Sequence, residues 1–110
     1  MNFYIGNSID EVDIQSDSVE FSDELIEFIY KLRKQVPFDM SKLYEINPYD
    51  DVEVAKKDLP QIIEVCNYIT EESLLRNYAE PDEGNHMLQD FTELAHKAIA
   101  RGLGLISKGD

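Results

Sequence analysis

The sequence predicts an α+β domain in which three amphipathic helices pack on a small, mainly antiparallel sheet. Three observations lead there. Apolar residues recur at helical spacing in three separate stretches, each apolar on one face only. Short apolar runs bounded by turn residues lie between and outside those stretches. One-sided helices must bury that side against another layer, and the short runs are the candidates for it. A mostly helical bundle is the alternative if the strands are too short to pair. The 110 residues have the size of one domain, 1–110. Hydrophobic residues make up 43% of the chain, enough for a core, so a net charge of -13 does not imply disorder.

In chain order, Asn2–Ile5 reads as a strand ended by Gly6 and Asn7. From Met1 to Glu24 the chain carries seven acidic residues and no lysine or arginine, the most one-sided stretch of the sequence. Ser22 is a suitable cap for a first helix running from Asp23 to about Lys34. Asp23 and Glu24 suit its positive start, and Lys31, Arg33 and Lys34 its negative end. Leu25, Phe28, Ile29 and Leu32 form the buried stripe, and Val36-Pro37-Phe38 ends the helix.

Leu43 to Ile46 alternates apolar and polar residues and predicts a strand, Asn47-Pro48-Tyr49-Asp50 a turn, and Asp51 to Val54 a second strand. Asp58, Pro60 and Gln61 predict a helix start in which Asp58 caps and Gln61 completes a capping box. Leu59, Ile62, Ile63, Cys66 and Ile69 mark the inner face of this second helix. Ala79 to Gly84 reads as a loop, and Asn85 as the cap of a third helix with its stripe at Leu88, Phe91, Leu94, Ala95, Ala98 and Ile99. Gly102 is placed to stop that helix, and Leu103 to Ser107 to form a closing strand.

The residues do not spell out a reaction. His86 and His96 are ten apart, which is not a ligand spacing, and a lone Cys66 on an apolar face reads as a small hydrophobe, so no metal or other cofactor is expected. Cys66 with His96 is a conceivable nucleophile pair, but a core thiol is inert. The acidic stretches lack the glycine and spacing of a calcium loop, and there is no G-x-S-x-G, phosphate loop or dinucleotide fingerprint. Twenty-three acidic residues offer many carboxylate pairs and nominate none. No catalytic residue is assigned and the chain is read as a non-enzyme. Met1 to Gly6 lacks the basic start of a secretory signal, and no run reaches the roughly 20 apolar residues of a membrane span. A single cysteine fits a reducing compartment, so a cytoplasmic location is expected.

Charge is the extreme property. It argues against nucleic acid and anionic lipid, whose phosphates would be repelled, and it favours a basic protein partner drawn in electrostatically. The clusters expected to meet that partner are Asp10, Glu11, Asp13 and Asp17 ahead of the first helix, and Asp50, Asp51 and Glu53 at the turn.

Two stretches taken together, L-Y-E-I-N-P-Y-D-D-V at Leu43 to Val52 followed by D-L-P-Q-I-I, and the terminal L-G-L-I-S-K-G-D, resemble immunity proteins of contact-dependent growth inhibition and related bacterial toxin loci. That family has an I-D-P-Y-G-D-like turn before a helix. Here Asn47 stands for its aspartate and Asp50 for its glycine. The resemblance covers about a third of the chain and carries no catalytic residue over. It implies a non-enzymatic inhibitor that binds one cognate toxin domain, often a nuclease, and blocks its active site; the acidic charge makes a basic nuclease the expected partner. With no apolar stripe beyond the core faces, the chain is expected to be monomeric alone and heterodimeric with the toxin. Two other readings are a non-catalytic adaptor docking through Leu74 to Tyr78, if that segment is exposed, and a small enzyme built around His86 or His96.

Overall fold

A computed structural model describes residues 1–11, 18–47 and 49–109. Its architecture is α+β. Four strands form an antiparallel sheet: β1 (Asn2–Ile5), β2 (Ser18–Glu20), β3 (Val52–Val54) and β4 (Leu105–Lys108), in the order β2-β1-β4-β3. The helices are α1 (Asp23–Lys31), α2 (Ser41–Tyr44), α3 (Leu59–Glu71) and α4 (Pro81–Ala100). The strands pair, so the helical-bundle alternative is set aside.

Phe3 pairs with Val19 on one side and with Ser107 on the other, and Ile5 pairs with Leu105, which in turn pairs with Val54. Cross-strand partners share a face, so these residues line the side on which the helices pack. α4 lies against β1 and β2, α3 packs along α4, and α2 bridges α1 and α3. At the centre, Phe3 of β1, Phe21 and Phe91 of α4 are fully buried and meet edge-to-face, with centroids 4.8 to 6.1 Å apart. Each such contact adds about 0.5–1.5 kcal/mol beyond the area it buries.

Where the helical stripes were predicted, the core forms. Leu25 and Ile29 of α1, Leu59, Ile62, Cys66 and Ile69 of α3, and Leu88, Phe91, Ala95 and Ala98 of α4 are all fully buried. No helix among the described residues is long and apolar enough to cross a membrane.

Several expectations are corrected. α1 stops at Lys31, three residues short of Lys34, because Leu32 closes the last turn with its N–H on the carbonyls of Phe28 and Ile29. Ser22 does cap it, accepting from the Leu25 N–H at 3.2 Å. Leu43 to Ile46 is not a strand. Met40, Leu43 and Ile46 are buried at a spacing of three, which is a helical turn. That turn is started by Asp39, whose carboxylate accepts the Ser41 N–H at 2.9 Å.

Asp58 does not cap α3 and no capping box forms. It lies in a 3-10 turn, Lys56–Asp58, with helical backbone angles that turn its side chain away from the free N–H groups. Its carboxylate stands 4.0 Å from Lys42 Nζ, and Gln61 donates instead to the Asp39 carbonyl at 3.0 Å. The expected loop at Ala79 to Gly84 is largely helix. Pro81 occupies the first turn, where it has no N–H to lose, and α4 begins four residues before Asn85. Asn85 therefore sits inside the helix, its Oδ1 buried without a hydrogen-bond partner. Strand β2 was not anticipated, and the closing strand is displaced to Leu105–Lys108.

Gly104 marks the close approach of two segments of the chain. A Cβ there would collide with the Val54 carbonyl oxygen, and its N–H donates to Asn7 Oδ1 at 3.0 Å. Gly104→Ala is expected to lower stability by about 1–3 kcal/mol by forcing β3 and β4 apart. Asn85→Ala should instead raise it by about 1 kcal/mol, by removing an unsatisfied buried oxygen and improving helix propensity. Urea denaturation of the two variants checks both signs; a loss at position 85 would contradict the burial of that oxygen without a partner.

Candidate functional site

Of the seven sequence-nominated carboxylates, four have described side chains: Asp10, Asp50, Asp51 and Glu53. Asp13 and Asp17 lie outside the described residues, as does the side chain of Glu11, and Asp10 is exposed in a 3-10 turn at Ile9–Glu11. Asp50, Asp51 and Glu53 are exposed near the edge strand β3. Two of these three already have partners within the chain. Asp50 accepts from Asn47 Nδ2 at 2.9 Å, and Asn47 Oδ1 in turn accepts the Tyr49 N–H at 2.9 Å. Asp51 accepts the Gly109 N–H at 3.1 Å and pairs with Lys108 Nζ at 3.3 Å. These contacts clasp the turn onto β4 and offset part of its negative charge.

Among the described residues another acidic surface lies elsewhere. Phe21 is driven into the core between Glu20 and Ser22, and the core packs it against Phe91 of α4. That contact brings the end of β2 and the start of α1 against α4. Glu20, Asp23, Glu24, Glu80, Glu83, Asp90 and Glu93 then line three neighbouring depressions of about 160, 300 and 320 Å³, which share Glu20, Ser22 and Glu24 among them. The positive groups lining the same depressions are Lys97 and the amino group of Met1.

Acids at helix starts have an ordinary explanation, because the free N–H groups there favour negative charge. Glu83 shows that crowding outweighs that benefit here. Its carboxyl is held above the usual value of 4.5, first by a hydrogen bond with the Glu80 carboxyl and by the Glu80 charge, then by partial burial and the charges of Glu20 and Glu24. The direction of that shift, with Glu80 as its first cause, reflects like charges standing close together at the start of α4.

The smallest of the three depressions is the best formed. Tyr78 provides one wall. Its ring packs edge-on against Phe28 with centroids 5.2 Å apart, and its hydroxyl lies 3.4 Å from Ser22 Oγ. Gly84 makes room for it: a Cβ at that position would stand 3.2 Å from the Tyr78 ring and 2.9 Å from Leu75 Cδ1. Glu24, Glu80 and Glu83 form the rim, and Met87 lies alongside.

The other chemical candidates are dispersed. Cys66 is fully buried, and burial pushes its thiol up to about 12. His96 is exposed, so the two do not form a nucleophile and base. His86 is also exposed, 3.5 Å from the carboxylate of Asp90 one turn along. Among the described residues no three of His, Cys, Asp and Glu converge closely enough to hold a metal ion. In the Leu74 to Tyr78 segment the apolar side chains face inward, with Leu75 fully buried and Leu74 and Tyr78 half-buried against the core, while Arg76 and Asn77 are exposed. Among the described residues, Tyr30 and Tyr49 are the large apolar side chains left exposed. The chain matches no family model, no curated protein and no solved structure.

Of the carboxylates expected to bind, Asp51 has a structural duty that pH can reveal. The Gly109 N–H, and then Lys108, hold its carboxyl below the ordinary 3.8. A depressed carboxyl contributes stability above its unfolded value, and that contribution is lost as pH falls through the lower folded value. Asp51→Asn should reduce the urea midpoint modestly at pH 7 and flatten its decline on acidification below about pH 4. An unchanged midpoint at pH 7 would mean that the clasp carries no stability.

Proposed function

We propose that this chain is an immunity-type inhibitor that neutralises a basic protein partner by covering it. The observation that carries this reading is the continuous acidic surface of β2, α1 and α4. A nuclease holds phosphate with lysines and arginines, and a patterned set of carboxylates can occupy the same groups without chemistry of its own. Such charge accelerates encounter and disfavours nucleic acid as a competitor for the inhibitor's own surface. The stretches Leu43 to Val52 and Leu103 to Asp110, which resemble immunity proteins of toxin loci, support the same class.

In this reading the partner is a toxin domain, expected to be a nuclease, and the inhibitor is monomeric until it forms a one-to-one complex. A single cysteine, buried and with its thiol strongly protonated, suits the reducing cytoplasm, where an immunity protein must meet an incoming toxin. Contact is assigned to Glu20, Glu24, Glu80 and Glu83 ahead of the Asp50, Asp51 and Glu53 turn. The reason is energetic: Asp51 would have to surrender Lys108 to bind a new cation, whereas Glu83 is relieved of repulsion by one.

The test is to mix the protein with the product of the reading frame immediately upstream. A complex is expected by size exclusion at low salt, weaker at high salt, together with protection of cells that express that product. No complex at either salt and no protection would contradict the reading.

A further inference from the structure

We infer that the cavity between the start of α1 and the start of α4 is a socket for one arginine side chain projected by the basic partner. The inference rests on the proposed function for the nature of the partner, but its geometry stands independently. At about 160 Å³ the cavity is smaller than the roughly 300–1,000 Å³ of small-molecule sites. It has room for a side chain.

Its walls match the two halves of that side chain. Tyr78 and Met87 offer an aromatic and a thioether surface for the aliphatic stem and the flat face of a guanidinium, which stacks on aromatic rings. Glu24, Glu80 and Glu83 sit at the rim, where the five N–H donors of a guanidinium would reach them. Among the described residues no three such side chains converge on a metal ion, although Glu80 and Glu83 are themselves close. A guanidinium spans several ångströms and does not need them to converge.

The socket is also preformed. Tyr78 is fixed at both ends, by Phe28 against its ring and by Ser22 at its hydroxyl. The chain places a glycine at position 84, inside the first turns of α4, where glycine costs about 1 kcal/mol relative to alanine. That glycine leaves the space the ring occupies. A cation arriving here finds its wall in place and relieves a crowded set of like charges, so it repays repulsion already present in the free protein.

The experiment is an amide NMR titration of the full chain with a capped tetra-arginine peptide, and with a capped tetra-citrulline peptide as the neutral isostere. Tetra-arginine should shift the amides of Ser22 to Glu24 and of Tyr78 to Met87, and tetra-citrulline should not. Bound peptide should also lower the titration midpoint of the Glu83 carboxyl. Glu80→Gln with Glu83→Gln should weaken binding by about tenfold. Asp50→Asn with Glu53→Gln, which removes the same charge from the turn, should leave it unchanged. Equal weakening by the two pairs, shifts scattered over the surface, or equal binding of tetra-citrulline would overturn the socket. So would magnesium shifting the same amides as strongly as the peptide. Binding of tetra-arginine without any complex with the upstream product would spare the socket and remove the immunity reading; the reverse result would do the opposite.

Discussion

The edge-to-face packing of Phe3, Phe21 and Phe91 is the contact on which both the fold and the acidic surface depend. One ring comes from the first strand, one from the junction between β2 and α1, and one from the middle of α4. Truncating a buried phenylalanine of this kind costs about 3–5 kcal/mol, a large part of the 5–15 kcal/mol by which a domain is stable. That cost is what allows repulsion to be tolerated nearby. Glu20 and Ser22 flank Phe21 in sequence, so seating the ring obliges Glu20 and Glu24 to stand near Glu80 and Glu83, whatever those charges prefer.

Charge crowding of this kind works against stability in the free protein, and a carboxylate chosen only for folding would be placed otherwise. The turn at Asp50 and Asp51 shows that alternative. There the carboxylates accept hydrogen bonds from Asn47 and Gly109 and pair with Lys108, and the resulting clasp holds the loop to β4. The turn's carboxylates are tied to Asn47, Gly109 and Lys108, whereas on the α1–α4 face Glu80 and Glu83 crowd each other, even though Asp23 there lies 3.9 Å from the Met1 amino group and Asp90 3.5 Å from His86; that contrast directs the functional reading to the second.

Much of the fold was legible because helices declare themselves by spacing. The stripes of α1, α3 and α4 were read correctly, since every third or fourth residue is a large aliphatic or aromatic one. The errors have physical reasons. Leu43 to Ile46 was read as alternating, but its two aliphatic residues are three apart, a spacing that faces opposite sides of a strand and one side of a helical turn; that spacing, continued back to Met40, and Asp39 upstream were the signals that decide it. Pro81 and Gly84 read as loop formers, yet a proline in a first turn and a glycine beneath an aromatic ring both belong in this helix. Strand β2 is three residues long and exists through pairing with β1, which no local pattern reports. Of the site, the sign of the charge was legible and its concentration was not. Glu20 and Glu83 are distant in sequence, and only the phenylalanine core brings them together.

If the protein meets a basic partner, the α1–α4 face is where positive charge is received. The most direct measurement is the association rate with the captured basic partner across a range of ionic strength, for the wild type and for a variant with Glu20, Glu24, Glu80 and Glu83 all changed to glutamine. The variant is expected to associate about tenfold more slowly at low salt, with a visibly flatter salt dependence. An unaltered rate and slope, with the fold intact, would contradict the claim that this face meets the partner.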